Sequence, residues 1–236
     1  MLEVDALKFA YPGNDSPKMC FELEVPAGEI LSLIGPSGSG KSTLLNLIAG
    51  FVEAESGQIR IAGQAVETMP AAKRPVTMVF QQHNLFPHLD LYTNIALGAD
   101  ASLRLNEAQR QQVIDAIERL GLVGLEQRKP GALSGGQRQR VALARAMVRA
   151  REVLLLDEAF AALGPALRAE LIELVAELVR ERGIVALMVS HQPKDALIAS
   201  PRTAFVHDGQ VTVLQATQQL LQSPEQAEVR EYLGSL

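Results

Sequence analysis

Apolar and polar residues alternate over Leu2 to Lys8 and again over Met19 to Val25, the period of strands with one covered face. The turn-rich stretch Pro12-Gly13-Asn14-Asp15-Ser16-Pro17 separates them, so an antiparallel pair is predicted. Ile30 to Ile34 reads as a further strand, Gln58 to Gly63 as a strand ending in a turn, and Val76 to Phe80 as a short apolar strand ending at Gln81. From Asn106 the period lengthens. Asn106 can cap a helix, with Gln109 three residues on, as in a capping box. Val113, Ile114, Ile117 and Leu120 follow at helical spacing, and Gly121 ends the run. Ser134 opens a second helix through Ala150. The unbroken run Val153-Leu154-Leu155-Leu156 precedes two acids and predicts a strand buried on both faces of a parallel sheet. Ala166 to Arg182 predicts an amphipathic helix whose stripe Leu171, Leu174, Val175 and Leu178 belongs to the core. A strand over Ile184 to Val189 follows, then a hairpin over Phe205 to Val211 turning at Asp208-Gly209. A polar helical tail closes the chain.

Two sheet-forming blocks, roughly 1–82 and 151–215, therefore flank a helical block at roughly 83–150, with a tail at 216–236. The expectation is one α/β domain with a small antiparallel β subdomain and an inserted helical subdomain. With 47% apolar and 21% charged residues over 236 positions, a packed core is expected rather than disorder. A formal charge of −5 argues against a nucleic-acid partner held by phosphate neutralisation. Cys20 is the single cysteine, so neither an internal disulfide nor a cysteine metal cluster is expected. The first residues carry no basic and apolar leader, and no run of about 18 apolar residues occurs. The expected location is the cytoplasm, with any membrane association made through a partner.

Residues 35–42 carry the chemistry. Gly35-Pro36-Ser37-Gly38-Ser39-Gly40-Lys41-Ser42 fills the pattern G-x-x-x-x-G-K-[ST] between the predicted strand at 30–34 and the helical run Thr43 to Ile48. Its glycines let successive N–H groups turn inward, and the following helix adds the positive end of its dipole. Lys41 offers a point charge to the β- and γ-phosphates of a nucleoside triphosphate, and Ser42 a hydroxyl to Mg²⁺.

Leu133-Ser134-Gly135-Gly136-Gln137, followed by Arg138 to Ala146, resembles the signature of ABC-transporter ATPases. Val153 to Leu156 with Asp157 and Glu158 resembles that family's Walker B strand. Gln81 matches its Q-loop glutamine and His191 its switch histidine, and all five motifs stand in family order. Taken singly, Gln81 and His191 would read as ordinary loop residues. The resemblance covers essentially the whole chain and implies a P-loop NTPase of the ABC type that binds ATP and Mg²⁺. It implies that Asp157 holds the metal with Ser42, directly or through water. Glu158 takes a proton from the attacking water, His191 meets the γ-phosphate, and Gln81 reaches metal and water. Ser134, Gly135, Gly136 and Gln137 face the γ-phosphate bound by another subunit, so the active unit is a two-fold homodimer closing around two ATP molecules. Tyr11 stands where the family places an aromatic against adenine, with Phe9 close by. His83, His88 and His207 carry no motif.

Three segments, Ser42 to Phe51, Arg74 to Gln81 and Asn84 to Leu89, are similar to the ATPases of bacterial thiamine importers, and Asn94 to Gly98 continues the likeness. Related importers share such segments. The sequence runs to Leu236, so the β-rich regulatory region of maltose-type importers is not expected. The resemblance implies uptake of a small solute, most like thiamine or its phosphate esters. The solute would be held by a periplasmic binding protein and passed through a permease at the inner membrane. The apolar cluster Leu85, Phe86, Leu89 and Leu91, interrupted by Pro87 on a loop, is where the permease is expected to dock. The alternatives are an ABC ATPase for another solute, a soluble ABC ATPase acting on nucleic acid or ribosomes, and a non-hydrolysing subunit. Two positions depart from the family: Ala159 where proline is usual, and Gly164 where the loop usually carries Asp.

Overall fold

In the computed structural model, residues 1–13, 18–80 and 84–234 are described. The strands are β1 (Leu2–Phe9), β2 (Met19–Val25), β3 (Ile30–Ile34), β4 (Ser56–Ile61), β5 (Gln64–Ala65), β6 (Val76–Phe80), β7 (Val153–Asp157), β8 (Val185–Val189), β9 (Arg202–His207) and β10 (Gln210–Ala216). The helices are α1 (Lys41–Ala49), α2 (Leu91–Ala99), α3 (Glu107–Arg119), α4 (Gly135–Arg149), α5 (Pro165–Arg182), α6 (Pro193–Ala199), α7 (Thr217–Gln222) and α8 (Ala227–Gly234).

One mixed sheet runs β5-β4-β1-β2-β10-β9-β3-β8-β7-β6. β1, β2, β4 and β5 pair antiparallel, as their alternating patterns predict. β6, β7, β8, β3 and β9 pair parallel. Their apolar runs are continuous because each face of the sheet is covered. Along β7, Val153 and Leu155 enter the core on one face, while Leu154 and Leu156 enter the other. Along β8, Val185, Leu187 and Val189 share the first face, and Ala186 and Met188 the second.

The predicted caps form. Asn106 accepts from the Gln109 N–H at 2.8 Å, and the Gln109 side chain accepts from the Asn106 N–H at 3.0 Å. Ser134 and Gln137 repeat the arrangement at the start of α4. The hairpin β9–β10 turns at Asp208-Gly209, and Leu171, Val175 and Leu178 are buried in α5.

Four findings depart from the sequence reading. α2 begins inside the stretch expected to be a loop. Leu91 is its first residue and is fully buried, so it lies in the core and offers nothing to a docking partner. Short α6 carries no period long enough to be recognised. The tail is polar on one side only, because Leu220, Val229, Tyr232 and Leu233 pack with Ile34 and Phe205. Arg74, read only as part of a likeness, is buried and donates to the carbonyls of Leu47 at 2.6 Å and Ile48 at 3.0 Å. It thereby satisfies carbonyls that the end of α1 leaves open.

Candidate active site

β3, β7 and β8 are hydrogen-bonded neighbours in the order β3-β8-β7, and their carboxyl ends lie together. Asp157 is paired in register with Val189 of β8. The residues that follow these strands therefore converge at one sheet edge, the ligand edge of open α/β folds.

The phosphate loop leaves β3 at Gly35. Its φ is 143°, and a Cβ there would stand 2.1 Å from the Val206 carbonyl oxygen, so only glycine fits. Gly40 caps α1 with φ 103° and no side-chain bond. Lys41 is 5% exposed. Its ammonium donates to the carbonyls of Gly35 at 2.8 Å and Pro36 at 2.7 Å, and to Ser39 Oγ at 3.2 Å. Burial pulls its pKa below the usual lysine value, against the opposing pull of Glu158 and Asp157. Ser39 and Thr43 are buried within the loop and first turn, while Ser37 and Gly38 are exposed at its tip. The Tyr11 hydroxyl shares a hydrogen bond of 3.0 Å with Thr43 Oγ1. Its ring is 42% exposed and stands edge-on to the buried Phe9 ring at 4.8 Å. Of the two aromatics, Tyr11 is thus the one with a free face beside the loop.

Ser42 Oγ donates to Asp157 Oδ1 at 3.0 Å across 115 positions of sequence. Burial raises the Asp157 pKa, partly offset by the Ser42 hydrogen bond, and Glu158 adds to the rise. Glu158 has φ 50°, a left-handed backbone uncommon outside glycine and typical of functional strain. That turn, closed by the Glu158 N–H donating to the Val189 carbonyl at 3.2 Å, brings Glu158 Oε1 to 2.6 Å from His191 Nε2. Nothing in the strand pattern announces this backbone, since it is set where two neighbouring strands end.

Gln81 lies outside the described residues, as does His83. Among the described residues no hydrogen bond joins Ser134, Gly135, Gly136 or Gln137 to the phosphate loop. They form a separate helix start, exposed at Ser134 and Gly135 and half-buried at Gly136 and Gln137, and a Cβ at Gly136 would meet Leu167 at 2.5 Å. His88 is exposed beside Phe86, and His207 stacks on Phe205 at 6.0 Å, away from this cluster. Cys20 is a free, half-buried thiol.

A phosphate loop at the head of α1, facing a serine–carboxylate pair and a strained glutamate, defines a P-loop nucleotide hydrolase. Residues 20–161 match the family described as ABC transporter, and the chain belongs to that family. Similar proteins include the thiamine import ATP-binding protein ThiQ of Chelativorans sp. (strain BNC1), 51% identical over 99% of this chain and 94% of its own length. The protein of that name from Photobacterium profundum is 45% identical over 99% of this chain and its own entire length. The solved dimeric structure of the ATP-binding cassette MJ0796 in a post-hydrolysis state, bound to ADP and Pi, superposes with a TM-score of 0.80. It is 27% identical and covers 92% of this chain and 99% of its own. This chain is accordingly an ATP-binding ABC ATPase whose hydrolysis is coupled to transport.

Proposed function

We propose that the chain is the ATP-hydrolysing subunit of an importer for thiamine or its phosphate esters, working as a homodimer beneath a permease at the inner membrane. One observation carries the chemistry. Ser42 from the first turn of α1, Asp157 and Glu158 from the end of β7 and His191 from beyond β8 stand within direct hydrogen-bonding contact in two pairs at the phosphate loop. The solute reading rests on the relatives, which are named for thiamine import.

On ATP binding, the Lys41 ammonium exchanges its carbonyl partners for the β- and γ-phosphate oxygens, a gain for a buried cation whose present partners are neutral dipoles. The N–H groups of the loop and of α1 meet the remaining oxygens. The exposed Tyr11 ring offers a flat surface to adenine. Glu158 takes the proton of the attacking water. His191 holds Glu158 in place before the γ-phosphate arrives and then hydrogen-bonds that phosphate. Ser134, with the N–H groups of Gly135 and Gly136 and the side chain of Gln137, completes the site of a second copy. Gln81 is assigned to metal and water by its motif alone.

The residues present fit Mg²⁺. A hydroxyl and a half-buried carboxylate stand 3.0 Å apart, and among the described residues no group of three or more His, Cys, Asp or Glu is arranged to hold a metal ion. That donor set suits a cation which takes one or two protein ligands and completes its shell with phosphates and water. Ser42 and Asp157 would hold it, and it would neutralise charge on the phosphates.

No helix among the described residues is long and apolar enough to cross a membrane, in keeping with attachment through the permease. Phe86, 45% exposed, and half-buried Leu85 and Leu89 are the proposed contact. The buried Asn94 holds this loop by accepting from the Phe86 N–H and donating to the Phe86 and Leu89 carbonyls. The test is ATPase activity of the complex reconstituted with its permease and binding protein. Thiamine should stimulate turnover, whereas equal rates with and without it, or stimulation by an unrelated solute alone, would overturn the assignment.

A further inference from the structure

Behind the Glu158–His191 pair lie two buried charged residues that no motif accounts for. Arg168, in the first turn of α5, is only 7% exposed. Its guanidinium donates to the carbonyls of Phe160 at 3.2 Å, Ala161 at 3.1 Å and Leu163 at 3.0 Å. Three donors from one planar fork thus fix the loop that follows Glu158. Asp195, on α6, is 6% exposed. It accepts from Ser190 Oγ at 2.5 Å, and that hydroxyl accepts from the Gln192 N–H at 3.0 Å, so His191 lies inside a closed turn. Both side chains line one cavity of about 150 Å³, together with Glu158, Ala161, Ser190 and His191. Burial raises the Asp195 pKa, against the Ser190 hydrogen bond and the Arg168 charge, and the two side chains share this cavity without an ion pair between them.

The loop held by Arg168 is the one with glycine at position 164, where the family pattern has a carboxylate. Gly164 gives α5 no side-chain cap, and a Cβ there would meet nothing within 4 Å. The loop is therefore fixed from inside, by Arg168.

We propose that Arg168 and Asp195 are positioning residues on two sides of one cavity, Arg168 fixing the loop that follows Glu158 and Asp195 fixing the turn that carries His191. The separation of Glu158 and His191 is then set by a buried bracket outside the nucleotide-binding surface. The inference rests on the reading of Glu158 as the proton acceptor. Arg168→Lys keeps the charge but loses the fork, and Ser190→Ala frees Asp195 from the histidine turn while leaving Arg168 and its three carbonyl bonds in place.

The measurements are single-turnover ATP hydrolysis and nucleotide affinity in the full-length protein, below the melting temperature of each variant. Arg168→Lys should slow hydrolysis about 10-fold to 100-fold and Ser190→Ala about 3-fold to 10-fold, part of the about 10²-fold to 10⁴-fold that a positioned acid–base group supplies. ATP affinity should stay within about 2-fold, because the phosphate loop is untouched. In a Glu158→Gln background Arg168→Lys should add almost nothing, since its effect passes through Glu158. Wild-type rates in both folded variants, or losses that multiply in full with Glu158→Gln, would overturn the clamp. If Arg168→Lys does not fold, Ser190→Ala decides alone by the same two criteria. Wild-type turnover in Glu158→Gln itself would instead overturn the reading of the site.

Discussion

The phosphate loop and the loop after Asp157 meet at the same sheet edge and are built in different ways. In the first, Lys41 finds its three oxygen partners at positions 35, 36 and 39, within six residues of itself. The turn closes on its own glycines and leads straight into α1. In the second, Glu158 takes a left-handed backbone, donates to Val189 on a neighbouring strand and meets His191 thirty-three positions away. A locally closed loop survives changes elsewhere, whereas a site assembled from strand ends depends on every element that holds those ends in register. The two regions touch at Ser42 and Asp157.

The largest expected effect lies in the local loop. Lys41→Ala removes a charge-assisted donor to the phosphates and leaves buried carbonyls unpaired, so turnover should fall by at least about 10³-fold and ATP affinity should fall with it. Wild-type turnover in this variant would remove the phosphate loop from the chemistry. Glu158→Gln should lose about 10²-fold or more in turnover while keeping ATP affinity. In Mg-ATP it should accumulate as a dimer in gel filtration, and a monomer hydrolysing at the normal rate would break both the role and the assembly.

The contrast between Phe86 and Leu91 sharpens the assignment of the docking loop. Phe86→Asp should abolish co-purification with the permease and leave the isolated subunit's ATPase within about 2-fold. Leu91→Ala should instead cost about 2–5 kcal/mol of unfolding free energy in denaturant melts, as for other fully buried leucines. Equal permease recovery with Phe86→Asp would move the interface elsewhere.

Asp157→Asn tests the junction of the two regions. Burial holds the Asp157 pKa above its unfolded value, so ionising this carboxyl opposes folding. That cost is absent below the unfolded pKa, develops as pH rises through the raised folded pKa, and is present in full at neutral pH. The variant keeps an acceptor for Ser42, so it should melt at a slightly higher temperature at pH 7 and gain little at acid pH, while losing Mg²⁺-dependent hydrolysis. A lower melting temperature at pH 7 would show that the Lys41 and Ser42 contacts outweigh burial. The smallest effect is expected at Gly164. Gly164→Asp supplies an N-cap to α5 worth a few tenths of a kcal/mol, and it should raise the Hill coefficient for ATP in the assembled transporter. Identical ATP-dependence curves would make the glycine neutral.

Much of this was legible in the chain. The capping boxes at Asn106 and Ser134 and the Asp-Gly hairpin are patterns whose causes lie within a few residues, and the P-loop spacing and the unbroken apolar run at 153–156 are visible locally although distant elements impose them. Backbone φ, cap bonds and side-chain period act at that range, and so they can be read directly. The tertiary structure alone decided that Glu158 turns left-handed, that Leu91 is buried, that the tail's apolar side covers Ile34, and that Arg168 and Asp195 stand behind the Glu158–His191 pair. Leu91 is buried by the packing of α2 on its neighbouring helices, and the others depend on which strands are neighbours, an order fixed by how two apolar faces of one sheet are covered. That covering is a property of the whole chain, so no local window contains it.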